Sequence, residues 1–230
     1  MQTISFSQTL LHDFPSNFEF DALSFMLKER LKKHNVFLIS NFSFGGNEGI
    51  PPELPRIQLN DELGYYSISV SMKSVEFRID SSSFDMDYKR FSVLAQDIRS
   101  VLVDRGVEPS KHGISAAVVF PMESPSEYIK KHIFNENNSF LRGDLIARAS
   151  ISVTDAIRVS GNMGLLRITQ ISDAFKMDPE GGFDTYVHVS REINNFPSDS
   201  PIPKVSYVDF IGIGLDQFSE KSLKEVIEME

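Results

Sequence analysis

The chain has 230 residues, a net charge of -9, 19 phenylalanines, no tryptophan and no cysteine. Without thiols it can form no disulfide, thiolate nucleophile, cysteine-type zinc site or iron–sulfur centre, and it is expected in a reducing compartment, the cytoplasm. The acidic balance disfavours nucleic acid as a partner, and no apolar run reaches the ~20 residues a membrane helix needs.

Ile4 and Phe6 open a strand that the pattern carries toward Leu11. Residues 17–34 read as a helix, with Phe18, Leu23, Met26, Leu27 and Leu31 on one face and the basic residues from Lys28 to Lys33 on the solvated side. Val36 to Phe44 is rich in aromatic and β-branched residues and predicts a strand. Gly45 to Pro55 is a loop, and Arg56 to Leu59 a short edge strand.

The clearest unit runs from Tyr65 to Phe120. Tyr66, Ile68, Val70 and Met72 alternate with Tyr65, Ser67, Ser69 and Ser71, and Val75, Phe77 and Ile79 alternate with Glu76, Arg78 and Asp80. A period of two gives each strand one dry face. Lys73-Ser74 is the expected turn, although it lacks the Gly or Asn that short hairpins favour. Asp87 is placed to cap a helix ending near Arg105, whose inner face carries Phe91, Leu94, Ala95, Ile98, Val101 and Leu102; Gly106 ends it. Ile114, Ala116, Val118 and Phe120 then alternate as a closing strand.

Residues 122–143 read as a connector. Ser124-Pro125-Ser126-Glu127 is a capping-box start for a short helix. Strands follow from Leu145 to Thr154, Met163 to Ile171 and Phe183 to Ile193. Val205 to Phe218 is left open between helix and strand: Val208, Ile211, Leu215 and Phe218 have helical spacing, but Gly212 and Gly214 weaken a helix. Residues 219–230 close the chain as a helix with Leu223, Val226 and Ile227 inward.

The expected fold is α+β with two lobes, residues 1–121 and 144–230, each a mainly antiparallel sheet with helices on one face. The halves read strand, strand, helix, strand and strand, strand, strand, helix, which leaves an internal duplication open. Pro55-Arg56-Ile57, Tyr65 to Val70, Val75 to Arg78, Tyr88, Phe91 and the following helix resemble an uncharacterised family of somewhat over 200 residues, sporadically distributed among bacteria and phages. Leu165, Arg167, Ile168, Val187, Phe218 and Leu223 are similar in order to its second half. The resemblance implies two sheet-plus-helix halves and no activity, cofactor or site.

The five histidines form no pair at metal-ligand spacing, so no metal is expected, and the phosphate-loop and dinucleotide glycine patterns are missing, so no cofactor is expected. His188 shares the polar face of its strand with Asp184 and Glu192; that row supplies the catalytic candidates of an enzyme reading, with a site between the lobes. His112 beside Gly113 reads as a turn residue. Phe42, Phe44, Ile50 and Tyr65 surround or follow the Gly-rich loop and are the candidate protein contacts, with core filling as the simpler account of the aromatics. The function expected is a non-enzymatic protein-binding or regulatory module whose partner is another protein or itself. An acidic mimic of nucleic acid is the remaining alternative.

Overall fold

A computed structural model describes residues 2–43, 50–80, 88–132, 150–177, 182–196, 200, 202 and 205–227. Nine strands occur in chain order: β1 (Gln2–Leu11), β2 (Ile39–Ser43), β3 (Ile57–Asn60), β4 (Tyr66–Val70), β5 (Ser74–Asp80), β6 (Lys111–Pro121), β7 (Ser150–Ser160), β8 (Met163–Met177) and β9 (Phe183–Asn195). The helices are α1 (Phe20–Lys32), α2 (Tyr88–Asp104), α3 (Pro125–His132), α4 (Tyr207–Gln217) and α5 (Glu220–Lys224). The class is α+β, as the alternation predicts.

The sequence predicts a sheet for each half; the structure has one, in the order β2-β3-β4-β5-β1-β6-β9-β8-β7. Every neighbouring pair is antiparallel. The halves join where β6 meets β9, with Ile114 opposite Ile193, Val118 opposite Val189 and Phe120 opposite Val187. Two strands that each present alternating β-branched residues bury more apolar surface against each other than as separate edges, and pairing also removes two open edges.

The five helices among the described residues lie on one side of this sheet. On that side β1 presents Phe6, Gln8 and Leu10, and Phe91 of α2 stacks on Phe6 at 5.3 Å and on Phe77 at 5.7 Å. A large apolar cluster runs from β3 through β6 to Ile193 of β9 and Leu165 of β8, beneath α1, α2 and α4. A smaller one gathers Val118, Phe120, Ile129, Ile171, Val187, Val189, Leu223 and Ile227 beneath α3 and α5. Arg30 ties α1 to α2 through Asp97 and Asp104, so one member of the basic cluster is engaged in packing. No described helix is long and apolar enough to cross a membrane.

Local differences from the sequence reading have physical causes. Residues 207–217 are helix, and the inward residues are Tyr207, Phe210, Ile211 and Gly214, while Val208 is 74% exposed. The glycines do not break α4 because Gly214 is where another side chain passes closest to it. His112 is buried within β6 against the rings of Tyr207 and Phe210, not at a turn. The β4–β5 turn needs no glycine because the Ser71 hydroxyl accepts from the amides of Lys73 and Ser74 at 3.1 and 2.9 Å. β7 and β8 run to Ser160 and Met177, beyond the alternation that announced them, and α5 is confined to five residues. Phe44, residues 45–49, Asp87, the connector after His132 and residues 145–149 lie outside the described residues.

Candidate functional site

Because the helices occupy one face, the other is left without a helix among the described residues. Strand registers place its residues in rows that cross the sheet. One row reads Ser67, Arg78, Ser7, Ser115, Glu192, Ile168, Thr154 from β4 to β7; the next reads Asp80, Ser5, Ala117, Ser190, Gln170, Ser152 from β5 to β7. A third reads Ser69, Glu76, Thr9, Gly113, Asn194, Leu166, Ala156. The centre of this surface is therefore short hydroxyl, amide and methyl groups. Small side chains lose little rotamer entropy on being covered, and hydroxyls bond in either direction.

The hydroxyls of Ser7 and Ser115 already meet across β1 and β6 at 2.7 Å. Charged groups stand to either side of that pair. On β5, Arg78 donates to Asp80 at 2.9 Å; on β9, Glu192 accepts from the Asn194 amide at 2.8 Å. At the far edge β2 adds apolar groups to the same face. Ile39, 57% exposed, stands opposite Asn60, and the half-buried Phe42 opposite Gln58, the bulge at Asn41 keeping both on that side.

Of the other predicted contacts, Ile50 and Tyr65 are half-buried and structural. The carbonyl of Ile50 accepts from the Arg56 guanidinium at 2.9 Å, that of Tyr65 accepts from the Asp80 amide at 2.8 Å, and the Tyr65 side chain packs on the main cluster. Arg56 is itself fully buried and also donates to the carbonyls of Pro51 and Leu54, so the described end of the Gly-rich loop is held by one side chain.

His188 lies on the open face, as its strand parity predicts, but the structure does not bring it to Asp184 or Glu192. Residues four apart on one strand are separated by about 13 Å, and both carboxylates accept from their own near neighbours, Tyr186 and Asn194. His188 instead faces Val119 on β6 and Ser172 on β8, whose hydroxyl is 3.5 Å from Nδ1. Partial burial holds its imidazole below the usual range. Among the described residues, no three His, Asp or Glu side chains gather where they could hold a metal ion. A shallow hollow of about 420 Å³ at the β7–β8 turn is lined by Ile157, Arg158, Met163 and Phe196, away from His188.

A polar seam on the helix side was not foreseen. Arg191, 5% exposed, donates to the Gln217 carbonyl at 2.8 Å, to the Ser222 hydroxyl at 2.7 Å and, through Nε, to Thr169 at 3.3 Å. Beside it Arg167 pairs with Asp155 and donates to the Gln217 side chain at 2.9 Å. Burial brings the Arg191 guanidinium down to about 10, with Arg167 adding to the effect, and the hydrogen bond from Arg167 holds the Asp155 carboxyl low. The seam lies between the two apolar clusters and clamps the α4–α5 junction to the sheet. Its signal was legible as a charge at Arg191 in the parity of Val187, Val189 and Ile193.

A second buried polar contact joins Gln8 of β1 to the Tyr207 hydroxyl, and Arg99 lies 4.6 Å over the Tyr207 ring. Desolvation raises the Tyr207 phenol, so it stays neutral. Both arrangements hold helices onto the covered face. The polar groups just described are engaged in packing; the exposed Phe175, Met177 and Phe183 lie on the same side at the β8–β9 end, and the broad surface left without a helix among the described residues is the open face. Scanned against protein-family models the chain matches none, and no curated protein is significantly similar to it in sequence.

Proposed function

We propose that this chain is a non-enzymatic protein-binding module whose contact surface is the helix-free face of its sheet. The carrying observation is the asymmetry of the sheet among the described residues: the helices pack on one face, while the other offers a broad surface of Ser, Thr, Ala and Asn with Ile39 and Phe42 at its edge. Such a surface is polar enough to remain in water and broad enough to meet another protein over a large area. The acidic balance of the chain favours a protein partner over nucleic acid, and the isolation of His188 from both carboxylates favours binding over chemistry. The same reading places the protein in the cytoplasm, makes its partner another protein or a further copy, and includes it with the sporadic bacterial and phage family it resembles.

The test is steric. Ser7→Arg and Ser190→Arg put long charged side chains on the open face without touching the core. Each is expected to abolish assembly while leaving the thermal midpoint within a degree or two of the parent. Assembly that survives both substitutions contradicts the proposal.

A further inference from the structure

We propose that the open face binds a second copy of this chain, face to face, about a twofold axis that runs parallel to the strands between β1 and β6. This rests on the reading of that face as a contact surface and names its partner. A twofold there exchanges β1 with β6, β5 with β9 and β4 with β8, and it makes every contact twice. Applied to the observed registers, it sets Arg78 of one copy opposite Glu192 of the other, with Ser7 opposite Ser115 between the two ion pairs. One row away Asp80 meets Ser190, and one row the other way Glu76 meets Asn194, so each carboxylate faces a hydrogen-bond donor. On these four strands no charge stands directly opposite its own sign. The centre, where Ser5 meets Ala117 and Thr9 meets Gly113, is small enough for close approach.

The charges are also exposed. Arg78 has 59% of its side chain exposed, and Glu192 is exposed on the opposite flank of the serine pair. The facing lengths of the six central strands, set by β4, β5 and β1, average about seven residues and cover roughly 29 Å by 24 Å, or about 700 Å², near the ~800 Å² per partner of a standard stable interface. Face-to-face sheets keep their mean strand directions within about 30° of each other, and an axis along the strands, which leaves their direction unchanged, meets that condition.

Sedimentation over a concentration series decides it, with circular dichroism confirming that each variant is folded. The wild type is expected to be a dimer. Arg78→Glu and Glu192→Arg each set like charges face to face twice, and each is expected to weaken the dimer roughly tenfold or more. The double variant, Arg78→Glu with Glu192→Arg, restores the pairing in reversed sense and is expected to recover most of the affinity. A monomeric wild type, or a dimer indifferent to all three variants, overturns the inference. A monomer whose binding to a different protein is abolished by Ser7→Arg removes the self-pairing and leaves the contact surface standing. A dimer unaffected by Ser7→Arg as well removes both.

Discussion

The Cβ that an alanine would carry at position 214 collides with the hydroxyl of Tyr88. Helix α4 therefore rests on α2 through a glycine, with the Tyr88 phenol donating to the Ile211 carbonyl at 3.3 Å. Gly212, two residues back on the solvent side, has nothing within 4 Å of the same added atom. The two glycines should respond with opposite sign. Gly214→Ala forces Tyr88 aside and is expected to destabilise by about 1–3 kcal/mol, whereas Gly212→Ala gains up to about 1 kcal/mol of helix propensity. Urea unfolding midpoints of the two variants check this; equal effects would remove the close-packing account of Gly214.

Arg191 makes a similar point with polar chemistry. Arg191→Ala leaves the Gln217 carbonyl and the Ser222 hydroxyl without their buried donor and is expected to cost about 1–3 kcal/mol. Arg191→Lys keeps the charge but not the fork that reaches both groups, so it should recover little. Amide exchange would show faster opening confined to residues 205–227; an effect spread evenly over the sheet would argue against the clamp.

These residues mark what the sequence could and could not convey. Period-two alternation identified β4, β5 and β6, and the 3.6-residue pattern identified α2, because each buries one face locally. The joining of β6 to β9 was not legible: both strands offer equally good apolar faces, and which edges meet is a matter of global topology. The register of α4 was misread at Val208 and Leu215, since its contact with Tyr88 puts Gly214 inward in place of a bulkier residue. On the open face, strand parity gave the side of His188 correctly. Strand rise then kept it from the acids on its own strand, and that part was legible in the sequence as well.

Acid should weaken the fold through His12. Its ring is buried against Phe14 at 3.9 Å, and neither nitrogen has a hydrogen-bond partner among the described residues. Burial lowers its pKa to about 4, partly opposed by Asp13, so the folded state holds it neutral where the unfolded chain begins to protonate at 6.5. Between those values the unfolded state binds more protons. The stability present above 6.5 is lost as pH falls toward 4, at no more than about 1.4 kcal/mol per unit, less where solvent screens the ring. His12→Phe should flatten that part of the stability curve; an unchanged slope would assign it elsewhere.

Arg56 holds three carbonyls from a fully buried position, with its Nε lacking a partner among the described residues. Arg56→Lys cannot span them, and the expected loss is about 1–3 kcal/mol, with faster proteolysis near Pro51–Leu54. A wild-type melting curve for this variant would contradict the role given to it.

The central claim, that the helix-free face is the working surface, has a direct measurement because the chain has no cysteine of its own. A single thiol placed at Ser115, in the middle of that face, is compared with one at Val93, exposed on α2. As the chain is concentrated or meets its partner, the labelling rate at position 115 should fall severalfold while that at 93 stays constant. Equal rates at both positions under every condition would show the open face turned only to water, and the account would fail.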